Sequence, residues 1–266
     1  MPIQSNDMTR TTLPTLRIAA AQSTSIAGNV AANVRTHTQF IAAAHQAGVD
    51  VLVFPELSLS GYELALLRDC LVEPDDHRLN PIRDLVRTIG MTVVVGAPLL
   101  HDNKPNPSIA ALTFFPDGSR SVYCKQHLHP GEERYASPGD TGSQRYGVGD
   151  SSYALAICAD TSHASHAQAA AATGASLYLA GVLVSEAGYA TDSSQLAHHA
   201  KQFNLGVLMA NHGGPSGGYA SAGKSAFWAP GGALVVAAPG TGDCLVIATC
   251  HADQWQGEWL AVQTHE

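Results

Sequence analysis

Short, uncharged and mainly apolar runs recur along this chain, and they limit what it can fold into. Val51-Leu52-Val53-Phe54, Thr92 to Ala97, Tyr153 to Ile157, Ser176 to Val184 and Leu205 to Asn211 are too short for buried helices. They carry no polar alternation either, which is the pattern of strands covered on both faces. Leu16 to Gln22 reads as a first strand of the same kind. Between them lie stretches with helical spacing: Asn29 to Ala47, with Val30, Val34, Phe40 and Ile41 and a Gly48 stop, then Pro81 to Gly90 and Asp192 to Phe203. Strands alternating with helices define an α/β chain. Ser108 to Phe115 and Arg120 to Lys125 flank Pro116-Asp117-Gly118, a turn sequence that makes them a hairpin. Short strands near Ser225–Trp228, Ala233–Ala237 and Leu245–Thr249 follow late in the chain. Hairpins among βα units predict mixed sheets and not a purely parallel one.

No composition break, charged run or linker divides the 266 residues, so residues 15–266 are expected to form one domain. Met1 to Pro14 is polar and lacks the basic start and apolar run of a signal peptide, and reads as a disordered leader. A net charge of −8 argues against a nucleic-acid or membrane-surface partner. No segment approaches the apolar length that spans a bilayer. The five cysteines are odd in number and include no Cys-x-x-Cys, so neither a zinc ribbon nor a thioredoxin motif is indicated. A core of this size needs no disulfides, which points to a reducing cytoplasm. His163 and His166 could share a helix face and hold a metal with a third ligand. No His-Glu-x-x-His occurs, and polar residues belong on the outer face of an Ala-rich helix, so no metal and no cofactor are expected.

Charged or nucleophilic residues follow directly on the buried runs at three places. Phe54-Pro55-Glu56 puts a carboxylate after one, Tyr123-Cys124-Lys125 an ammonium after another, and Ile157-Cys158 a thiol after a third. Ligands of α/β sheets bind beyond the carboxyl ends of strands, so these groups would share a pocket if their strands are neighbours. Asp160-Thr161-Ser162 are helix-starting residues, and the Ala-rich stretch to Thr173 reads as the helix they begin. Cys158 would then feel the positive end of that helix, which favours the thiolate. Taken singly, each residue has a plainer reading: a buried small hydrophobe, a solvated carboxylate, a surface lysine.

FPELSLSGY (Phe54 to Tyr62), YCKQHL with ERYASPGD ending at Asp140, and ICAD (Ile157 to Asp160) resemble the three signature blocks of the nitrilase, or carbon–nitrogen hydrolase, superfamily. They stand in the family's order, and the likeness runs from Leu16 to about Val236. The resemblance implies a four-layer α-β-β-α sandwich of two mixed sheets, no cofactor, a small-molecule amide as substrate, and a homodimer or higher homo-oligomer. It implies Cys158 as the nucleophile, Glu56 as general base and Lys125 as oxyanion stabiliser together with the Ala159 backbone N–H. It also implies an auxiliary glutamate after the lysine. Counting back from Pro138-Gly139-Asp140 favours Glu132, with the adjacent Glu133 open for the same role and as a substrate contact. A second carboxylate near Glu56 would help keep one of the pair protonated. Tyr62 either lines the pocket or packs in the core, and Asn211 either faces the pocket or caps the following turn.

Cys158-Ala159-Asp160 departs from the Cys-Trp-Glu run of nitrilases proper and, by the same resemblance, favours an amidase-like or carbamoylase-like member; the leading expectation is an amidase that releases ammonia from a small linear amide. The alternatives are a nitrilase or N-carbamoyl hydrolase on the same residues, or, in a different class, a non-catalytic binding protein that retains the fold. A buried Glu–Lys–Cys set is costly to desolvate, which speaks against the last. A metal-dependent hydrolase built on the histidines ranks behind all of these.

Overall fold

The computed structural model describes residues 15–100 and 104–264. The expected leader, Met1 to Pro14, lies outside the described residues. Along the first half run β1 (Thr15–Gln22), α1 (Val30–Gln46), β2 (Val51–Val53), α2 (Asn80–Ile89), β3 (Thr92–Leu99), β4 (Ser108–Phe114) and β5 (Arg120–Cys124). The second half carries β6 (Tyr146–Val148), β7 (Ser151–Ile157), α3 (Ala164–Ala172), β8 (Leu177–Val182), α4 (Tyr189–Gln202) and β9 (Gly206–Asn211). It closes with β10 (Ala226–Trp228), β11 (Leu234–Ala237), β12 (Cys244–His251) and β13 (Gln254–Ala261). One sheet has the order β13-β12-β1-β2-β3-β4-β5 and the other β11-β10-β9-β8-β7-β6. Each is mixed: β1-β2-β3 and β7-β8-β9 pair in parallel, and the flanking strands pair antiparallel.

The doubly buried strands sort their side chains between two layers. In β1, Ile18 and Ala20 join the core between the sheets, while Ala19 and Ala21 join the core under α1 and α2. In β7 and β8, Tyr153, Leu155, Ile157, Leu177 and Leu179 face the inter-sheet core. Ala154, Ala156, Tyr178 and Ala180 meet α3 and α4. The layers are therefore helices, sheet, sheet, helices: the α-β-β-α sandwich. Asn29 caps α1 by accepting from the Ala32 N–H at 3.1 Å, and Gly90 closes α2 in the left-handed region at φ 74°.

Two strands were not foreseen, β6 and β13; both are short of buried residues. The helix after Cys158 also differs from expectation. Cys158–Ser162 forms a 3-10 helix, His163 returns to extended backbone, and α3 starts only at Ala164. Asp160 therefore does not start the long helix.

Topology places the three strand ends. Because β5 is antiparallel to β4, and β4 to β3, β5 runs in the same direction as β2 and β3. Glu56 and Lys125 thus emerge at one edge of the first sheet, and Cys158 emerges from β7 of the sheet packed on it. The sheets close tightly around the Glu56 turn. A Cβ on Gly96 would lie 2.3 Å from the Pro55 oxygen, and one on Gly181 would lie 2.7 Å from the Phe54 oxygen. Glycine is required at both places for close approach.

Candidate active site

Glu56 is held by its backbone. Leu57, the next residue, is buried with φ 52°, and Ser58 turns its hydroxyl to accept the Gly96 N–H at 3.1 Å. His212 donates from Nε2 to the Glu56 carbonyl at 2.7 Å, and burial lowers this imidazole to about 4, so it acts as a neutral strut. The Glu56 carboxylate is buried. Oε1 accepts from Lys125 Nζ at 2.6 Å; Oε2 has no hydrogen-bond partner among the described residues, and the Cys158 thiol lies near enough to interact with the carboxylate. Burial raises Glu56 to about 7, Lys125 pulls it down, and Glu132 pushes it up.

Lys125 is completely buried and sits between two carboxylates, 2.6 Å from Glu56 Oε1 and 2.7 Å from Glu132 Oε1. Burial by itself would lower the ammonium, but Glu56, Cys158 and Glu132 together hold it above the ordinary lysine value. Glu132 opens a short 3-10 turn after Gly131, and its second oxygen accepts the His129 N–H at 2.7 Å. Tyr62 donates its hydroxyl to Glu132 Oε1 at 2.6 Å. Two carboxylates around one ammonium leave this cluster a net negative charge if all are ionised. A raised Glu56 relieves that by holding a proton near neutral pH.

Cys158 adopts φ 43°, a left-handed conformation that a non-glycine residue occupies only under constraint. The sharp turn takes the thiol out of line with β7 and into a pocket, where Sγ donates to the Leu183 carbonyl at 3.7 Å. The thiolate is not favoured here, contrary to the sequence reading. Burial pushes the thiol well above its ordinary value, Glu56 adds to this, and Lys125 opposes it. A five-residue 3-10 helix in place of an α-helix leaves little dipole to offset the desolvation. Ala159 lies in the first turn of that helix, where N–H groups have no intrahelical acceptor, and it lines the same pocket.

Asp160 does something the sequence did not suggest. It is fully buried; Oδ2 accepts the Ile157 N–H at 3.1 Å and the Tyr123 hydroxyl at 2.7 Å. Oδ1 accepts the Gln126 N–H at 3.1 Å and the His127 N–H at 2.8 Å. One carboxylate therefore joins the residue before Cys158 to the residues after Lys125. Tyr123 Oη also meets His166 Nε2 at 2.7 Å, and His166 Nδ1 meets the Tyr178 hydroxyl at 2.7 Å, so His166 belongs to this network. His163 stacks on His127 at 3.9 Å. No group of three or more His, Cys, Asp or Glu side chains among the described residues is arranged for a metal ion.

The pocket in front of the thiol has a volume of about 400 Å3 and is lined by Tyr62, His129, Cys158, Ala159, Tyr219 and Asp192, among others. Glu56, Lys125 and Glu132 are buried behind the thiol and do not line this pocket, and the two other candidates for substrate contact, Glu133 and Asn211, also fall outside it. Glu133 is exposed and accepts the Gly131 N–H at 2.6 Å, so of the two adjacent glutamates it is Glu132 that meets Lys125. Asn211 is buried: its Oδ1 accepts the Val184 N–H at 2.9 Å, and its Nδ2 donates to the Val184 and Gly223 carbonyls. It ties β9 to the loop after β8 and does not line the pocket. His212, Asp160 and the two glycines were missed; their partners are too distant in sequence for a local pattern to mark them.

Residues 17–257 match the family model described as "Carbon-nitrogen hydrolase". The fold is similar to that of an amidase from Nesterenkonia sp. AN1, in a mutant form complexed with butyramide. The two are 25% identical with a TM-score of 0.81, over 90% of this chain and 92% of that one. A second mutant of that amidase, showing Michael addition of acrylamide at its active site cysteine, aligns with 25% identity and a TM-score of 0.79. The alignment covers 87% of this chain and 92% of that one. A 91-residue stretch is 34% identical to the glutamine-dependent NAD(+) synthetase of Mycobacterium bovis, covering 34% of this chain but 13% of that protein. The Mycobacterium leprae synthetase is 27% identical over 137 residues, 20% of its length. The chain thus matches only a minor part of these relatives.

Proposed function

This chain belongs to the carbon–nitrogen hydrolase family, and from that premise we propose that it is an amidase releasing ammonia from a small linear amide through a thioester on Cys158. One observation carries the reading: a buried Glu56–Lys125–Glu132 array stands behind a constrained thiol that opens into a pocket. Structural scaffolds gain nothing from such charges, because their desolvation is costly.

In the proposed sequence the Cys158 proton passes to Glu56 as the sulfur attacks the amide carbon. A thiol held well above its ordinary value is a poor nucleophile until that transfer occurs, so the proton moves with the attack and not before it. Charge developing on the carbonyl oxygen is met by the Ala159 N–H and by the Lys125 ammonium. As the C–N bond breaks, Glu56 returns the proton to the departing nitrogen and ammonia leaves. Water then adds to the thioester, giving its proton to Glu56; the acid departs, and the thiol is restored from Glu56. Glu132 and Tyr62 position Lys125. The butyramide complex of the Nesterenkonia amidase supports a linear amide of that size.

Measured ammonia release from matched amides, nitriles and N-carbamoyl amino acids tests the proposal. Turnover of the amides, lost in Cys158→Ala, is the expected result; selective turnover of nitriles or carbamoyl compounds would replace it with one of the alternatives. A cytoplasmic location and a homo-oligomeric state belong to the same proposal, checked by fractionation and by sedimentation. No helix among the described residues is long and apolar enough to cross a membrane.

A further inference from the structure

Asp192 is a pocket residue for which the proposed chemistry has no use. It lies in the first turn of α4, half-buried, and it lines the same pocket as Cys158. Among the described residues its carboxylate accepts no hydrogen bond and pairs with no cation, whereas Glu56, Glu132 and Asp160 are all engaged. No lysine or arginine lines the pocket; its remaining polar groups are hydroxyls, the Cys158 thiol and the His129 imidazole. Burial raises the Asp192 carboxyl above the ordinary aspartate range, and His129 counters this.

The helix N-terminus offers a plainer explanation for an aspartate at this position. It does not account for the aromatic side of the same pocket. Tyr219 leaves 46% of its surface exposed and meets the Tyr62 ring edge-on at 5.9 Å between centroids. Tyr62 is anchored by Glu132, so Tyr219 presents its ring next to a fixed partner. A free carboxylate and an accessible aromatic ring in one small cavity are the two groups that together recognise an ammonium ion.

We infer that the pocket selects linear amides whose far end carries a positive charge, held by the Asp192 carboxylate and the Tyr219 ring. The inference rests on the amidase reading and names its substrate class. An amide ending in a carboxylate would meet Asp192 with like charge and find no lysine or arginine to compensate. An amide bearing both charges, such as glutamine, gains one contact and loses the other.

The test compares kcat/KM for ammonia release from butyramide, 4-aminobutyramide and succinamate, which share a four-carbon chain and differ in the charge of the terminal group. The expected order is 4-aminobutyramide over butyramide by roughly tenfold, with succinamate lowest. In Asp192→Asn the ratio of the first two should fall toward one, and Asp192→Lys should raise succinamate relative to 4-aminobutyramide. Ratios cancel any general loss of activity in the variants, and the wild-type order needs no variant. Equal wild-type rates on butyramide and 4-aminobutyramide, or a preference that survives Asp192→Asn, would overturn the inference while leaving the amidase reading intact. No ammonia from any of the three would overturn both.

Discussion

Replacing Asp160 tests whether one buried carboxylate holds the nucleophile in register with the lysine. In Asp160→Ala the N–H groups of Ile157, Gln126 and His127 lose their acceptor, whereas the Tyr123 hydroxyl can still turn to His166 Nε2 at 2.7 Å. Each orphaned buried donor costs about 1–3 kcal/mol. Gln126 and His127 are only half-buried, so water can reach part of the loss, and the carboxylate's own desolvation cost is returned. The net destabilisation expected is about 3–5 kcal/mol, the range for breaking a buried charged network. Asp160→Asn keeps one oxygen for Gln126 and His127 but faces an amide N–H toward the Ile157 N–H, so its cost should be about 1–3 kcal/mol. Urea unfolding measures both. The catalytic effect should exceed what stability alone requires: a shift near 1 Å between Lys125 and Cys158 costs about 100-fold in kcat. Well below the unfolding midpoint, a loss confined to kcat, largest in Ala and partly rescued in Asn, is the expected signature. An Asp160→Ala protein with wild-type stability and wild-type kcat would refute the clamp.

The pH profile gives a second check. If Glu56 must be ionised to take the thiol proton, kcat/KM should rise with pH through about 7. Glu132 raises Glu56, so Glu132→Gln should move that limb to lower pH as well as reduce the rate; an unmoved limb would mean that another group titrates. Linkage sets the sign for stability: the folded value is above the ordinary 4.5, so the folded state holds the proton longer. This contribution is present below 4.5 and is lost as pH rises to about 7, and Glu56→Gln should remove that slope in urea titrations. Substitution of Glu56 itself should cost about 100- to 10,000-fold in kcat, the span of general acid–base catalysis. Gly96→Ala would force its new methyl into the Glu56 turn, 2.4 Å from the Leu57 nitrogen, and should cost roughly 1–3 kcal/mol with a larger drop in kcat. Retention of full activity in that variant would show that the turn has slack the close contacts deny.

Elements with a strong local pattern were legible in the sequence. The doubly buried strands announced themselves because both faces need apolar residues, and the hairpin between β4 and β5 because Pro116-Asp117-Gly118 permits little else. The strands that escaped the sequence reading were those whose residues face solvent. β13 reads Gln-Trp-Gln-Gly-Glu-Trp-Leu-Ala and is exposed over most of its length, so nothing in its hydrophobicity marks a strand. It forms because it pairs along the whole of β12 from Cys244 to His251. That partnership is a property of the sheet, invisible to any window of neighbouring residues.

The candidate site divides along the same line. Glu56, Lys125 and Cys158 could be picked out because each follows a buried strand, and strand ends are where α/β sheets place chemistry. Choosing between Glu132 and Glu133 required the direction in which a 3-10 turn projects adjacent side chains, one toward Lys125 and one toward Gly131. Asp160 is the more instructive failure. A carboxylate at the start of a helix was expected to cap it, and it does accept backbone N–H groups as a cap would. Those groups belong to Ile157, the last residue of β7, and to Gln126 and His127, just past the end of β5 in the other sheet. Local preference identified the chemistry, acceptance of backbone hydrogen bonds, while the packing of the sheets decided which donors it would serve. Here that choice converts a helix-start residue into the link between the two ends that carry the lysine and the thiol.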